Sequence, residues 1–169
     1  ERMTKLAEEG DARDKEQKLN DKQKANWVDY NELIKLIENL FDRIKEQGLL
    51  KKEKLSRKEY TLFQDYIMLR TYLTFTYRND FCEMKVISNE NEDNGKDNFL
   101  LLKNGTPDKF ILNQYKTQKT YGKKIVDIPE NLAKVIKKFL KFNKSGYFLT
   151  LQDGIRAMTS NGITKSFNR

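Results

Sequence analysis

The sequence contains no histidine and only one cysteine, Cys82. Without histidine, the chain cannot build a histidine-based zinc site, a Ser-His-Asp triad or a Cys-His dyad from its own residues. A single cysteine excludes an internal disulfide framework and favours an intracellular, reducing compartment. Because Cys82 lies among apolar residues in RNDFCEMKVI, we interpret it as a buried structural thiol rather than a nucleophile.

Long apolar segments are also missing, since no run approaches the roughly 18 residues of a membrane-spanning helix. No signal peptide opens the chain, and we expect no membrane partner. The chain begins abruptly with ERMTKLAEEG and ends abruptly with ITKSFNR, so we expect a fragment of a longer protein.

Positive charge is plentiful. The 169 residues include 33 lysines and arginines against 25 aspartates and glutamates, which gives a formal net charge of +8. A balance of this size predicts a polyanionic partner, with nucleic acid favoured over a membrane surface. The alternative is a solvated, lysine-rich surface without a specific partner.

The first half of the sequence predicts helices. Residues 1–26 are highly charged and predict a solvent-facing helix or a tether, and GDARDKEQKLNDKQK is equally typical of a disordered segment. A helix follows, with Asp29 and Glu32 as its N-terminal capping pair and Gly48 as its C-terminal stop. A second, more buried helix begins at Ser56, where SRKE forms a capping box. A short helix is predicted near YRNDFCEM, and SNENEDNGKDN predicts a polar loop with little structure.

The second half changes to a strand pattern. FLLLK, KFILNQYKT and KKIVDIP predict three strands, and NGTPD predicts the turn between the first two. Together they predict a small three-stranded antiparallel sheet. Residues 130–142 then predict an amphipathic helix, and Thr159 or Ser160 is positioned to cap a last one. The order of elements predicts an α+β domain, mainly helical.

Lysines cluster where TQKTYG joins the second and third predicted strands. Lys116, Lys119, Lys123 and Lys124 lie there, with Tyr121 in the turn. A protruding basic hairpin can enter a groove of duplex DNA or contact phosphates, and a lysine ammonium can donate a proton to a leaving oxygen. The alternative is a charged turn that lysine keeps soluble.

Arg78 is the second candidate. It follows the buried helix, and arginine is costly to bury without a partner. We therefore expect its guanidinium to pair with a carboxylate, such as Asp80 or Glu83, or with a phosphate.

The arginine after a hydrophobic helix, the lysine-bearing sheet and the segment IVDIPENLAKVI resemble the catalytic domain of the tyrosine recombinases, which include phage integrases. The resemblance covers residues 27–169, with NWVDYNELIKLIENL similar to the opening helix of that domain, and residues 1–26 would end a core-binding domain. RNDF and YKTQKTYG are more similar to integrases of large DNA viruses and mobile elements. For a viral protein, the location would be the host cell or the virion.

The resemblance implies a mechanism for the full-length protein. A tyrosine attacks a DNA phosphodiester, Arg78 stabilises the charged phosphorane, and Lys116 protonates the departing 5′-oxygen, with Lys119 as the alternative. No metal or other cofactor is required. Double-stranded DNA is the implied partner, and self-assembly into a tetramer on DNA is implied for the full-length protein. The implied DNA-binding residues are Lys116, Lys119, Tyr121, Lys123 and Lys124.

The chain departs from the family pattern at two places. Phe81 stands three positions after Arg78, where the family usually carries an acidic residue, and Asp80 lies one residue earlier. The His-x-x-Arg box and the nucleophilic tyrosine are expected beyond Arg169, so we expect this chain to bind DNA without cutting it. The two alternatives are a basic DNA-binding domain without catalysis and a protein-interaction module.

Overall fold

The structure is a computed structural model that describes residues 21, 24, 28–77 and 79–167, with Asn79 described through its backbone. The chain divides into two compact units, Glu1–Leu36 and Ile37–Arg169. Apart from residues 21 and 24, the predicted charged helix or tether at residues 1–26 lies outside the described residues, and so does Arg78. The described part of the chain is α+β, as the sequence predicts.

Five α-helices lie within the described ranges. They are α1 (Tyr30–Glu46), α2 (Arg57–Thr74), α3 (Gln118–Tyr121), α4 (Glu130–Leu140) and α5 (Ser160–Phe167). Short 3₁₀ turns occupy Leu49–Lys51, Asn79–Phe81 and Glu90–Glu92. The predicted helices over α1, α2, α4 and α5 are confirmed, although α4 ends two residues before the predicted end. The sequence did not predict α3.

The caps of α1 and α5 follow from local sequence. The Asp29 carboxylate accepts a hydrogen bond from the Asn31 amide at 2.8 Å, and the Glu32 carboxylate accepts one from the Asp29 amide at 3.2 Å. Gly48 follows α1 with a φ of +64°, a conformation that glycine adopts without a steric cost. At α5, the Thr159 hydroxyl accepts from the Gly162 amide at 3.2 Å, so Thr159 is the capping residue.

The capping box of α2, formed by Ser56 and Glu59, is confirmed, and the pKa of Glu59 is lowered. The Glu59 carboxylate accepts hydrogen bonds from the Lys52 ammonium and from the Ser56 amide. These hydrogen bonds, that from Lys52 first, lower the pKa of Glu59 from 4.5 to about 2. The ionised carboxylate therefore stabilises the folded state at pH values above 4.5, and this contribution is lost as the pH falls from 4.5 through about 2.

We expect the Glu59→Gln variant to be less stable than the wild type at neutral pH, because glutamine cannot supply the charge that Lys52 and the helix N-terminus favour. The difference in the free energy of unfolding should shrink as the pH falls and be lost near pH 2. Urea unfolding of both proteins across this pH range measures the difference. A difference that stays constant with pH would contradict the assignment.

Four strands form one sheet in the order β1-β2-β3-β4. They are β1 (Lys85–Ile87), β2 (Phe99–Lys103), β3 (Thr106–Leu112) and β4 (Lys124–Asp127). The β2–β3 and β3–β4 pairs are antiparallel, as predicted, but β1 pairs with β2 in parallel. The prediction of a three-stranded, wholly antiparallel sheet is therefore wrong. A strand of three residues is too short to show a two-residue period, so the sequence gave no sign of β1.

The second predicted strand is displaced. We predicted it over residues 109–117, but β3 begins at Thr106 and ends at Leu112. The turn before it is limited to Asn104 and Gly105, both of which have positive φ. Within the described ranges β4 is an edge strand, because β3 is its only neighbour in the sheet and three of its four residues are exposed.

The core lies between the sheet and the helices α2 and α4. α4 packs against β3 and α2, and the rings of Phe63 on α2 and Phe139 on α4 meet edge to face with centroids 5.6 Å apart. Leu100 and Phe110, on the two central strands, are fully buried. This core fixes the sheet from which the lysine-bearing connection extends.

Candidate nucleic-acid interface

The lysine cluster lies on the connection between β3 and β4, residues 113–123. β3 ends because the amides of Asn113 and Gln114 both donate to the side-chain oxygen of Asn98, each at 2.8 Å, instead of pairing with a strand. Lys116 consequently lies in a turn and Lys119 lies in α3. The prediction that Lys116 lies in the strand KFILNQYKT is therefore wrong.

The connection folds back on itself. The Tyr115 hydroxyl donates a hydrogen bond to the carbonyl of Gly122 at 2.9 Å, which joins the two ends of the segment that contains α3. Gly122 has a φ of +69° and a ψ of −159°, a combination that is open almost only to glycine.

All five predicted DNA-binding residues are exposed, but their side chains have different surroundings. Lys116 and Lys119 are exposed, and Tyr121 retains 74% of its accessible surface. The Lys124 ammonium lies over the Tyr77 ring, 4.6 Å from its centroid. Interaction with the Tyr77 side chain raises the pKa of Lys124, so this lysine carries its charge at neutral pH. The connection therefore presents cations and an aromatic ring on one short segment.

Lys123 has a partner within the protein. Its ammonium pairs with the carboxylate of Asp93, whose side chain is only 6% exposed. Burial raises the pKa of Asp93, but hydrogen bonds from Lys123, the Gly95 amide and Asn113 outweigh burial and hold the pKa below its usual value. Lys123 therefore neutralises a buried carboxylate, and a phosphate would have to compete with Asp93 for it.

Tyr77, directly before Arg78, and Phe81, three residues after it, are held in place by aromatic packing. The Tyr77 ring stacks on Phe75 with centroids 6.2 Å apart and lies 6.0 Å from the Phe81 ring. Phe81 is fully buried, and its ring meets that of Phe110 at 5.0 Å. The position where the resemblance led us to expect an acid is thus filled by a core aromatic residue. An unpaired carboxylate there would lose its hydration.

Cys82 directly follows Phe81 in the sequence. It is half-buried rather than fully buried as predicted, and burial is the main reason that the pKa of its thiol is raised. The charges of Glu83 and Asp80 raise the pKa further. A raised pKa lowers the thiolate fraction, which fits a structural thiol better than a nucleophile.

The sequence did not point to Asn98, Asp93 or Tyr77 as parts of this surface. Asn98 bonds to both of the segments that carry candidate residues, because its amide nitrogen donates to the carbonyls of Asp80 at 2.9 Å and Gln114 at 2.8 Å. The sequence feature that could have indicated Asn98 and Asp93 was the high proportion of asparagine and aspartate in SNENEDNGKDN, because such residues bond to nearby backbone. That loop is more ordered than predicted, with a capped 3₁₀ turn at Glu90–Glu92.

Two further observations concern the described part of the chain alone. Its cysteine, aspartate and glutamate side chains form no group placed to hold a metal ion. None of its helices is long and apolar enough to cross a membrane.

Comparison of the chain with protein-family models, with curated proteins and with solved structures finds no match.

Proposed function

We propose that this chain binds duplex DNA through the connection 113–123 and the adjoining Lys124, as part of the catalytic domain of a tyrosine recombinase. The observation that supports the proposal is the contact between Lys124 and Tyr77. Tyr77 directly precedes Arg78, so this contact joins the lysine-bearing connection to the segment that carries the candidate arginine. A recombinase needs those two segments at one phosphate.

The charges of the connection suit phosphate contacts. Lys116, Lys119 and Lys124 are exposed, and the chain as a whole carries a formal net charge of +8. Each lysine that neutralises a phosphate releases a condensed counterion from DNA. Binding of this kind positions a protein on the duplex without selecting a base sequence.

The proposed chemistry follows from the same residues. A tyrosine hydroxyl attacks the phosphorus, a phosphotyrosyl bond forms, and the bond from phosphorus to the 5′-oxygen breaks. Arg78 would stabilise the charge on the phosphoryl oxygens, and Lys116 or Lys119 would give its proton to the departing oxygen. Neither lysine lies on a strand, so the backbone gives no reason to prefer Lys116 to Lys119.

We expect binding of the chain to a labelled duplex to weaken steeply with salt, and the slope to depend on the connection. A fourfold rise in salt should weaken binding about 3.5-fold for each phosphate contact, or about 40-fold for three contacts. Replacing Lys116, Lys119 and Lys124 together with alanine should therefore reduce the salt slope by about three. Fluorescence anisotropy across a salt series measures both quantities.

The control removes three positive charges elsewhere. Lys134, Lys138 and Lys141 are exposed residues on and just after α4, and their replacement with alanine changes the net charge by the same amount. This control should reduce the slope much less. Equal slopes for both variants would show that net charge alone drives binding, and affinity that does not change with salt would favour a protein-interaction module.

A further inference from the structure

We propose that Asn98 is a positioning residue that couples the segment after Arg78 to the lysine-bearing connection. This inference rests on the proposed function, because it assigns Asn98 a role in holding the two DNA-facing segments together. Asp80, which Asn98 contacts, lies two residues after Arg78, and Gln114 lies two residues before Lys116.

The hydrogen bonds of Asn98 use the full capacity of its side chain. The oxygen accepts from the amides of Asn113 and Gln114, both at 2.8 Å. The nitrogen donates to the carbonyl of Gln114 at 2.8 Å and to that of Asp80 at 2.9 Å. An amide side chain offers two acceptor and two donor positions, and all four are occupied here. These bonds fix the orientation of the amide, because exchanging its oxygen and nitrogen would lose all four.

The backbone of Asn98 is held by the sheet. Its carbonyl accepts a hydrogen bond from the amide of Lys85, the first residue of β1, at 3.0 Å, and β2 begins at the next residue. The side chain therefore extends from a fixed support to two irregular segments. Residues that orient a site are most effective when their own conformation is locked in this way.

A second set of hydrogen bonds holds the connection to the loop that precedes β2. The side-chain nitrogen of Asn113, which is 5% exposed, donates to the Asp93 carboxylate and to the Asp97 carbonyl, both at 2.7 Å. Asp93 also pairs with Lys123, so it contacts the beginning and the end of the connection. Within the described residues, Asn98 differs from Asn113 and Asp93 because it also donates a hydrogen bond to the Asp80 carbonyl.

Cys82 provides a reporter for the coupling. It is the only cysteine of the chain, and it lines a small cavity of about 140 Å³ together with Asp80, Asn98 and Gln114. Loss of the bond to Asp80 should loosen this segment and expose the thiol to reagents. Binding of DNA to the connection should have the opposite effect through Asn98 and slow the labelling of Cys82.

The first test needs no DNA. The Asn98→Ala variant should react with a neutral thiol reagent about tenfold faster than the wild type, since the segment that carries Cys82 loses its hydrogen bond to the Asn98 side chain. Asn143→Ala is the control, because Asn143 is buried and donates to two carbonyls, those of Tyr147 and Phe148, which belong to neither segment. The control should leave Cys82 labelling within about twofold of the wild type. Equal acceleration in both variants would overturn the proposal.

The Asn98→Asp variant separates the two sides of the contact. An aspartate keeps the acceptor for the amides of Asn113 and Gln114 but loses both donor bonds, those to the carbonyls of Asp80 and Gln114. Hydrogen exchange should therefore quicken in residues 79–83 and stay slow at residues 113 and 114. A purely structural role would quicken exchange in both segments together, and that result would also overturn the proposal.

The DNA arm distinguishes failure of this inference from failure of the proposed function. A 30-base-pair duplex should slow Cys82 labelling in the wild type and in Asn143→Ala, but much less in Asn98→Ala when all three proteins are saturated with DNA. If the wild type binds DNA and the duplex protects Cys82 equally in all three, the coupling is wrong. If the wild type binds no DNA, the proposed function is wrong, and the experiments without DNA still decide whether Asn98 joins the two segments.

Discussion

Replacing Phe81 with alanine is expected to lower the free energy of unfolding by about 3–5 kcal/mol. Phe81 is fully buried, and its ring contacts those of Tyr72 at 5.3 Å, Phe110 at 5.0 Å and Phe148 at 6.4 Å. Truncation removes the transfer free energy of the ring and leaves a cavity that rigid aromatic neighbours cannot fill. Denaturant unfolding followed by circular dichroism measures the loss.

Two further variants test the reason for this loss. Phe167→Ala removes a ring that is 43% exposed, and it should cost much less than Phe81→Ala. Phe81→Glu introduces the acidic residue expected from the recombinase resemblance, and it should be at least as destabilising as alanine because the carboxylate would be buried without a built partner. A stable Phe81→Glu protein would show that this position can open to solvent or pair with a cation.

Replacing the lysine that acts as general acid should slow DNA strand cleavage by about 10²–10⁴-fold. The experiment uses the product of the complete reading frame that encodes this chain, and compares Lys116→Ala with Lys119→Ala. The substrate carries sulfur in place of the bridging 5′-oxygen. Since a thiolate leaves without needing a proton, this substrate should restore cleavage only for the variant that lacks the true general acid.

Arg78→Ala and Lys124→Ala are the controls for this rescue. Arg78 is proposed to stabilise charge rather than to donate a proton, so its loss should slow cleavage of both substrates. Lys124 lies over the Tyr77 ring and is proposed to contact phosphate, so its loss should weaken binding without rescue. Rescue of neither Lys116→Ala nor Lys119→Ala would remove the general acid from this connection. Undiminished cleavage by Arg78→Ala would leave that arginine with a structural role.

The helices could be predicted because their signals are local. The capping bonds at Asp29 and Ser56 join residues at most three positions apart and need nothing from the rest of the chain. The central strands β2 and β3 could be predicted from their apolar residues, although not their bounds. β1 could not, because a parallel partner is separated from it by a loop and three residues carry no visible period.

The arrangement of the candidate site depended on contacts that sequence patterns do not show. β3 ends where Asn98, fifteen residues before Asn113, supplies the acceptor for its amide. Likewise, Lys123 was predicted to contact DNA from its position in a lysine cluster, but its ammonium pairs with Asp93, thirty residues away. In both cases a polar side chain from the loop before β2 determines the outcome. Asparagine and aspartate counts predict a loop but not its partners.

The position of β4 at the edge of the sheet affects solubility. An edge strand exposes backbone groups that can pair with another chain and start aggregation. β4 has only four residues, with a lysine at its first position and an aspartate at its last, and Pro129, which has no backbone N–H, follows two residues later. Short length, terminal charges and a nearby proline all hinder the addition of a further strand. Within the described part of the chain, Lys124 thus adds charge to the edge of the sheet and also contacts Tyr77.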